Sequence, residues 1–306
     1  MSLLVIGSLA LDTIETPFGR AERTLGGSAT FISTSASYFT SPVRLVGIVG
    51  YDFPKEEVEF LKSKNIDISG LEISETQKTF HWHGKYDFDL NTRESLVTEL
   101  NVFEKFDPVI SEKFRDSEYI CLGNLHPALQ KKVISQIKKP KLVMCDTMNF
   151  WIEGAYNDLL EILKHVNLLV INDSEARELT KEFNLVIAAR KIMNMGPQIL
   201  IIKKGEHGAL LFTNDSIFSA PAYPLEEVFD PTGAGDTFAG GLMGWISKTK
   251  DLSTDNLKLA VIYGSTMASL AVEKFSLDGI RYLSNEQIMK RFSEFKKLTY
   301  FKEESL

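Results

Sequence analysis

The chain has 306 residues, 44% of them hydrophobic, enough for one large core that needs no disulfide or metal to hold it together. A formal net charge of −7 without any basic block offers no electrostatic footing for nucleic acid or an anionic membrane surface, and no apolar run reaches the ~20 residues that span a bilayer. Cys121 and Cys145 lack paired spacing and the first residues lack a secretory pattern, so the chain is expected to be cytoplasmic, in a reducing compartment.

In chain order, Leu3-Leu-Val-Ile-Gly7 reads as a short buried strand. Asp12 and Gly26-Gly27 follow, before a helix expected from Ser28 to Phe39. Taken alone, Asp12 is a turn residue and the glycine pair a loop. Chemistry gives a second sense: a carboxylate accepts two hydroxyl protons at once, and glycine removes the side chain that would block close contact. Val43 to Val49 is a strand and Lys55 to Lys64 a helix. Residues 72–100 then break the pattern, because Thr79 to Phe88 alternates strictly. That alternation predicts a strand with Phe80, Trp82, Tyr86 and Phe88 on one face and His81, His83, Lys85 and Asp87 on a wet one. His81 and His83 share that wet face, with no third metal ligand in view.

Further on, short apolar runs at Tyr119 to Leu122, Leu142 to Cys145, Leu168 to Ile171 and Ile199 to Ile202 alternate with amphipathic stretches such as Gln130 to Ile137 and Leu185 to Met195. Such alternation predicts a parallel sheet with helices on both faces. Asp146-Thr-Met-Asn149 closes one run, at the strand end where ligands gather in such sheets, although Asn149 equally suits a helix cap. Asn172-Asp-Ser-Glu175 closes another, and its spacing is also that of a capping box. Lys203-Lys-Gly205-Glu-His-Gly208 reads as a hairpin turn, with the two lysines solvated or, alternatively, drawing phosphates. Asp230-Pro-Thr-Gly-Ala-Gly-Asp236 then leads into an apolar helix starting at Thr237. The amides of Gly233, Ala234 and Gly235 and the positive helix end can converge on one anion there. Asp236, in the first turn, is placed to take a proton from an attacking hydroxyl.

These segments together resemble the ribokinase-like, or PfkB, family of carbohydrate and nucleoside kinases, over the whole chain. The resemblance implies an α/β fold with a mostly parallel central sheet, helices on both faces and a small β-sheet lid. All of 1–306 would form a single kinase domain, with the lid built from about 13–25 and 72–100. It implies Asp236 as catalytic base and the amides of Gly233, Ala234 and Gly235 as the anion hole. Asp12, Gly26 and Gly27 would hold the acceptor, with Phe31 facing it. Asn172, Lys203, Gly205, Gly208 and Thr232 would lie beside ATP. Glu175 would organise Mg2+ indirectly, Asn149 would orient phosphate or the catalytic water shell, and Asp230 with Thr232 would border a monovalent cation, K+. A helix over Lys258 to Val272 would line the adenine site, and Asn285 to Lys297 would form a solvated cover. The lid's aromatic face would need covering by the substrate, by the main domain or by the lid of a second subunit, the last giving a homodimer through the lids.

One departure bears on the substrate. Sugar kinases of this family usually carry Asn a few residues after the glycine pair, and Phe31 stands there. An apolar ring in place of an amide favours a substrate with an aromatic part. The sequence therefore predicts ATP-dependent phosphorylation of a hydroxymethyl group, on a ribonucleoside ahead of a free sugar or sugar phosphate. A catalytically silent nucleotide- or sugar-binding regulator is the rival from another class, and Asp236 within an intact glycine turn stands against it. A Rossmann dehydrogenase is disfavoured, since no Gly-x-Gly-x-x-Gly follows the first strand.

Overall fold

A computed structural model describes residues 2–300 and 302. Its first half runs β1 (Leu3–Ile6), β2 (Ala10–Thr16), β3 (Gly19–Gly26), α1 (Ser28–Ser37), β4 (Val43–Val49), α2 (Lys55–Ser63), β5 (Ile66–Ile73), β6 (Phe80–Tyr86) and β7 (Arg93–Glu99). The second half adds β8 (Tyr119–Leu122), α3 (Pro127–Gln136), β9 (Leu142–Asp146), α4 (Asn149–Gly154), α5 (Tyr156–Leu163), β10 (Leu168–Asn172), α6 (Asp173–Thr180) and α7 (Leu185–Met193). It continues with β11 (Ile199–Lys203), β12 (Ala209–Phe212), β13 (Ile217–Ala220), α8 (Ala234–Thr249), α9 (Thr254–Ala271) and α10 (Asn285–Thr299).

Nine strands form one sheet in the order β13-β12-β11-β10-β9-β8-β1-β4-β5. The seven strands from β11 to β5 pair in parallel, while β12 and β13 run antiparallel at one edge. Strands β1, β8 and β9 are buried at every residue, the expected outcome for apolar runs covered on both faces. One core layer packs side chains of α1, α8 and α9 on the sheet, and the other packs those of α3, α5 and α7. Among the described residues no helix is long and apolar enough to cross a membrane.

From β1 the chain first builds outward through β4 and β5, then returns at β8 on the other side of β1 and builds the opposite way. The reversal opens a crevice at the carboxyl ends of the strands. Three polar residues close neighbouring strands there: Asp146 ends β9, Asn172 ends β10 and Lys203 ends β11. Asn149 is not a cap. It is the first residue of α4, which Met148 precedes without any side-chain capping bond.

A second sheet, in the order β3-β2-β6-β7, is made by the strands of the 10–26 and 80–99 segments. The expected four-ring aromatic face is shorter in the structure. The strand stops at Tyr86, and Phe88 falls in the following turn, 91% exposed. Phe80 stacks on Phe103 at 5.4 Å, and Trp82 lies over Gly84. The other face is not simply wet either, because His83 Nε2 pairs with Glu15 at 3.0 Å and the His81 ring meets the Leu11 carbonyl.

Candidate active site

The turn before α8 depends on glycine. Gly233 has φ 72°, a left-handed conformation that costs a side-chain-bearing residue energy, and a Cβ there would run into the Phe31 ring. Phe31 is therefore 1% exposed and packed beneath the turn. As placed, its ring offers no open face for stacking, contrary to the expectation from sequence. Helix α8 begins at Ala234, three residues ahead of the expected start, and Asp236 lies in its first turn. Asp230 braces the approach to this turn, its two oxygens accepting the N–H groups of Thr232 and Ser276 at 2.8 Å each.

Asp12 faces the same crevice from β2. A Cβ on Gly26 would overlap its carboxylate, and the amide of Gly27, whose φ is 90°, is near enough to favour the charged form. Asp12 Oδ1 is buried with no hydrogen-bond partner. Desolvation, then the charge of Asp230, pushes its carboxyl up to about 8. A substrate hydroxyl would satisfy the orphaned oxygen and offset that cost. Trp82 is the register partner of Asp12 in the parallel β2–β6 pairing, so carboxylate and indole project from the same face of the small sheet.

The small sheet also reaches the turn itself. The hydroxyls of Thr232 and Tyr86 lie 3.1 Å apart in a hydrogen bond, and Arg93 on β7 adds positive potential at Asp236. Nothing in the sequence marks Arg93. Tyr86 belonged to the alternating run, which marked its strand but not its partner.

Asp236 stands among charges. Desolvation, followed by the neighbouring Asp146 carboxylate, pushes it up to about 7, with Lys203 and Arg93 opposing. Its Oδ1 has no hydrogen-bond partner. Glu175 is buried and likewise pushed up to about 7 by desolvation. It completes a capping box, accepting the Asn172 N–H at 3.0 Å while the Asn172 side chain accepts the Glu175 N–H at 2.8 Å. Lys203 is not solvated. Its side chain is 19% exposed and its ammonium lies 3.6 Å from Asp146 Oδ1, because three carboxylates make the pocket floor favourable to a cation. Asp146 lay within a segment legible in the sequence, where Asn149 drew attention instead.

On the far side of the 233–235 turn opens a cavity of about 560 Å³. Its walls are Lys203, Gly205 and Gly208 of the β11–β12 hairpin, Ala234 and Gly235 of the turn, and Ser265, Ala268 and Val272 along and just after α9. Thus a cavity of ligand size and the crevice holding Asp12 meet at one row of backbone amides and one carboxylate. The Ala234 N–H, expected to be one of three donors to an anion, is instead donated to the Pro231 carbonyl at 3.2 Å, which closes the tight turn. The arrangement can hold an anion at the Gly233 and Gly235 amides and remove a proton beside it.

A family model for pfkB family carbohydrate kinases matches residues 2–280. The cytidine kinase of Thermococcus kodakarensis is 33% identical over 257 residues, covering 82% of this chain and 91% of that protein. The ribokinase of Lactococcus lactis is 24% identical over 290 residues, covering 90% and 92%. Among solved structures, the nucleoside kinase of Methanocaldococcus jannaschii superposes with a TM-score of 0.77 at 22% identity, covering 96% of this chain and 98% of that one.

Proposed function

Because the chain belongs to the pfkB family of carbohydrate kinases, we propose that it transfers the γ-phosphoryl group of ATP to the hydroxymethyl group of a ribonucleoside, with cytidine the first candidate. The observation that carries the substrate class is the pairing of Asp12 with Trp82 on one face of the small sheet. A ribose needs an acceptor for its hydroxyls and a base needs a flat apolar partner, and these two side chains offer both. The likeness to a cytidine kinase supports the same choice.

In this proposal ATP occupies the 560 Å³ cavity with its adenine against α9 and its phosphates toward Lys203 and the 233–235 amides. The small sheet acts as a lid, latched by the Tyr86–Thr232 hydrogen bond. Asp12 orients the acceptor. Asp236 takes the proton of its hydroxymethyl group as the oxygen attacks the γ-phosphorus and the bond to the β-phosphate oxygen breaks, releasing ADP. The amides of Gly233 and Gly235 stabilise the charge on the transferring group, with the Ala234 N–H, which the Pro231 carbonyl already accepts at 3.2 Å, free to join them only if that bond gives way. Positioning and electrostatics provide most of the acceleration, as is general for phosphoryl transfer.

Magnesium fits the residues present in one particular way. Among the described residues no three His, Cys, Asp or Glu side chains converge as a metal cage. Glu175 uses Oε2 in its capping bond and is buried, with the Lys203 ammonium and the Asp146 carboxylate as its strongest charged neighbours. That suits an ion carried by phosphates and met by a carboxylate through water. Bound there, the ion would neutralise phosphate charge. Asp230 and Thr232 remain the proposed border of a K+ site, and comparing turnover in K+ and Na+ tests it.

The function is tested by ADP release with ATP and Mg2+ over cytidine, uridine, adenosine, inosine, guanosine, ribose, fructose and fructose 6-phosphate. Nucleosides should give the highest kcat/KM. Turnover of a sugar with no response to any nucleoside would move the chain to the sugar-kinase branch.

A further inference from the structure

Lys203 touches both halves of the site. Its side chain lines the 560 Å³ cavity, and its ammonium stands so near the turn that a Cβ on Gly235 would lie 2.6 Å from Nζ. On its other side Asp146 Oδ1 is 3.6 Å away, with Glu175 and Asp236 as further carboxylate neighbours. A buried ion pair is a poor investment in stability, because desolvating two charges offsets most of their attraction. The details of this pair point to another use.

Asp146 is fixed through its backbone. Gln130, 1% exposed, donates its amide to the Asp146 carbonyl at 3.1 Å and to the Gly123 carbonyl at 2.9 Å, pinning the ends of β9 and β8 together. The Asp146 carboxylate, in contrast, has one buried oxygen without a hydrogen-bond partner. At 3.6 Å, Lys203 neutralises that carboxylate by charge without being locked to it. An ammonium held this way can share its charge with an arriving phosphate and break no hydrogen bond in doing so.

We propose that Lys203 is a positioning residue that couples nucleotide in the cavity to the charge on Asp236: poised between Asp146 and the Gly235 turn, its ammonium favours the charged form of Asp236 and meets the polyphosphate when the cavity fills. The groups facing Asp236 are Asp146 from β9, Glu175 from α6, Lys203 from β11, Arg93 from β7, Asp12 from β2 and, deeper, the Cys121 thiol of β8. Asp146 and Lys203 are the strongest opposed charges acting on Asp236, ahead of Glu175 and Arg93, so changes to that pair should move the base furthest in opposite directions. The catalytic half of the proposal rests on the kinase function, and the nucleotide-binding half does not.

The test compares Lys203→Met, Lys203→Arg, Asp146→Asn and the double variant Lys203→Met/Asp146→Asn. With the best acceptor, the acid limb of the kcat/KM profile should rise by about one pH unit in Lys203→Met and fall by a similar amount in Asp146→Asn. The double variant should lie between them. Lys203→Arg should keep the wild-type limb. Calorimetry with a non-hydrolysable ATP analogue should show affinity about tenfold weaker in Lys203→Met and several-fold tighter in Asp146→Asn. Limbs that stay put, or that move together, overturn the coupling. Unchanged analogue affinity overturns the phosphate contact. If no acceptor is turned over, the kinase function fails, and the calorimetry still decides whether Lys203 meets phosphate. If Lys203→Met does not fold, Asp146→Asn and Lys203→Arg carry the same comparison.

Discussion

Replacing Asp236 by asparagine keeps the shape of the site and removes its charge, with opposite consequences for rate and stability. Loss of the base should lower turnover by about 10²- to 10⁴-fold. Stability should move the other way. The Asp236 carboxyl, ordinarily near 3.8, is pushed up to about 7 by desolvation first and by Asp146 second. Between about pH 4 and pH 7 the folded state therefore holds a proton that the unfolded state has released. Stability falls as pH rises through that window, and the full cost of the charge is present above it. Each tenfold in proton affinity is about 1.4 kcal/mol, so the upper bound is about 4 kcal/mol. Asp146 and Glu175 feel the same repulsion and can relieve part of it by taking the proton instead, which brings the expected gain to about 1–2 kcal/mol at pH 8. For a chain of this size that is a few degrees in Tm. Melting curves of both proteins at pH 8 and pH 5, at one ionic strength, should show the variant melting higher at pH 8 and the difference closing toward pH 5. A variant that melts equally or lower at pH 8 would refute the electrostatic argument. Turnover within a few-fold of wild type would remove Asp236 from the base role.

Gly26→Ala drives a methyl group into the Asp12 carboxylate, so KM for the acceptor should rise at least tenfold while ATP affinity holds; isothermal titration with each ligand separates the two. Tyr86→Phe deletes the hydroxyl bonded to Thr232. Losing that neutral hydrogen bond should cost about 0.5–1.5 kcal/mol of the closed arrangement, read as a two- to tenfold rise in acceptor KM. Glu175→Gln separates two roles of one side chain: a raised Mg2+ requirement with unchanged melting marks a magnesium residue, whereas a lower Tm with unchanged Mg2+ dependence marks the cap alone. Trp82→Ala should raise KM for nucleosides several-fold, and an unchanged KM would remove the indole from base stacking.

Much of the scaffold was legible in the sequence because its physics is local. Buried parallel strands are continuous apolar runs, so β1, β8, β9, β10 and β11 stood out, and the glycine turn before α8 announced itself by composition. The Asn172–Glu175 spacing gave a capping box, which is also local. What sequence could not supply was the set of partners brought together by distant crossovers. That Lys203 is half-buried among carboxylates follows from β11 lying one strand from β10 and two from β9, which ends in Asp146. That Phe31 lies under Gly233 follows from α1 packing against α8, some two hundred residues later in the chain. The small sheet itself follows from alternation, but the extent of its aromatic face does not, for a related reason. Alternation located its strand, but the end of pairing at Tyr86 and the contacts of Phe80 depend on residues 93–106, which carry no comparable pattern.

The most direct test of nucleoside phosphorylation is a single incubation with ATP, Mg2+ and an equimolar mixture of the five ribonucleosides, ribose, fructose and fructose 6-phosphate, followed by mass spectrometry of the products. A nucleoside 5′-monophosphate, with the cytidine product foremost, should dominate, and it should disappear with Asp236→Asn. Ribose or fructose phosphate as the main product, with no nucleotide formed, would contradict the proposed function.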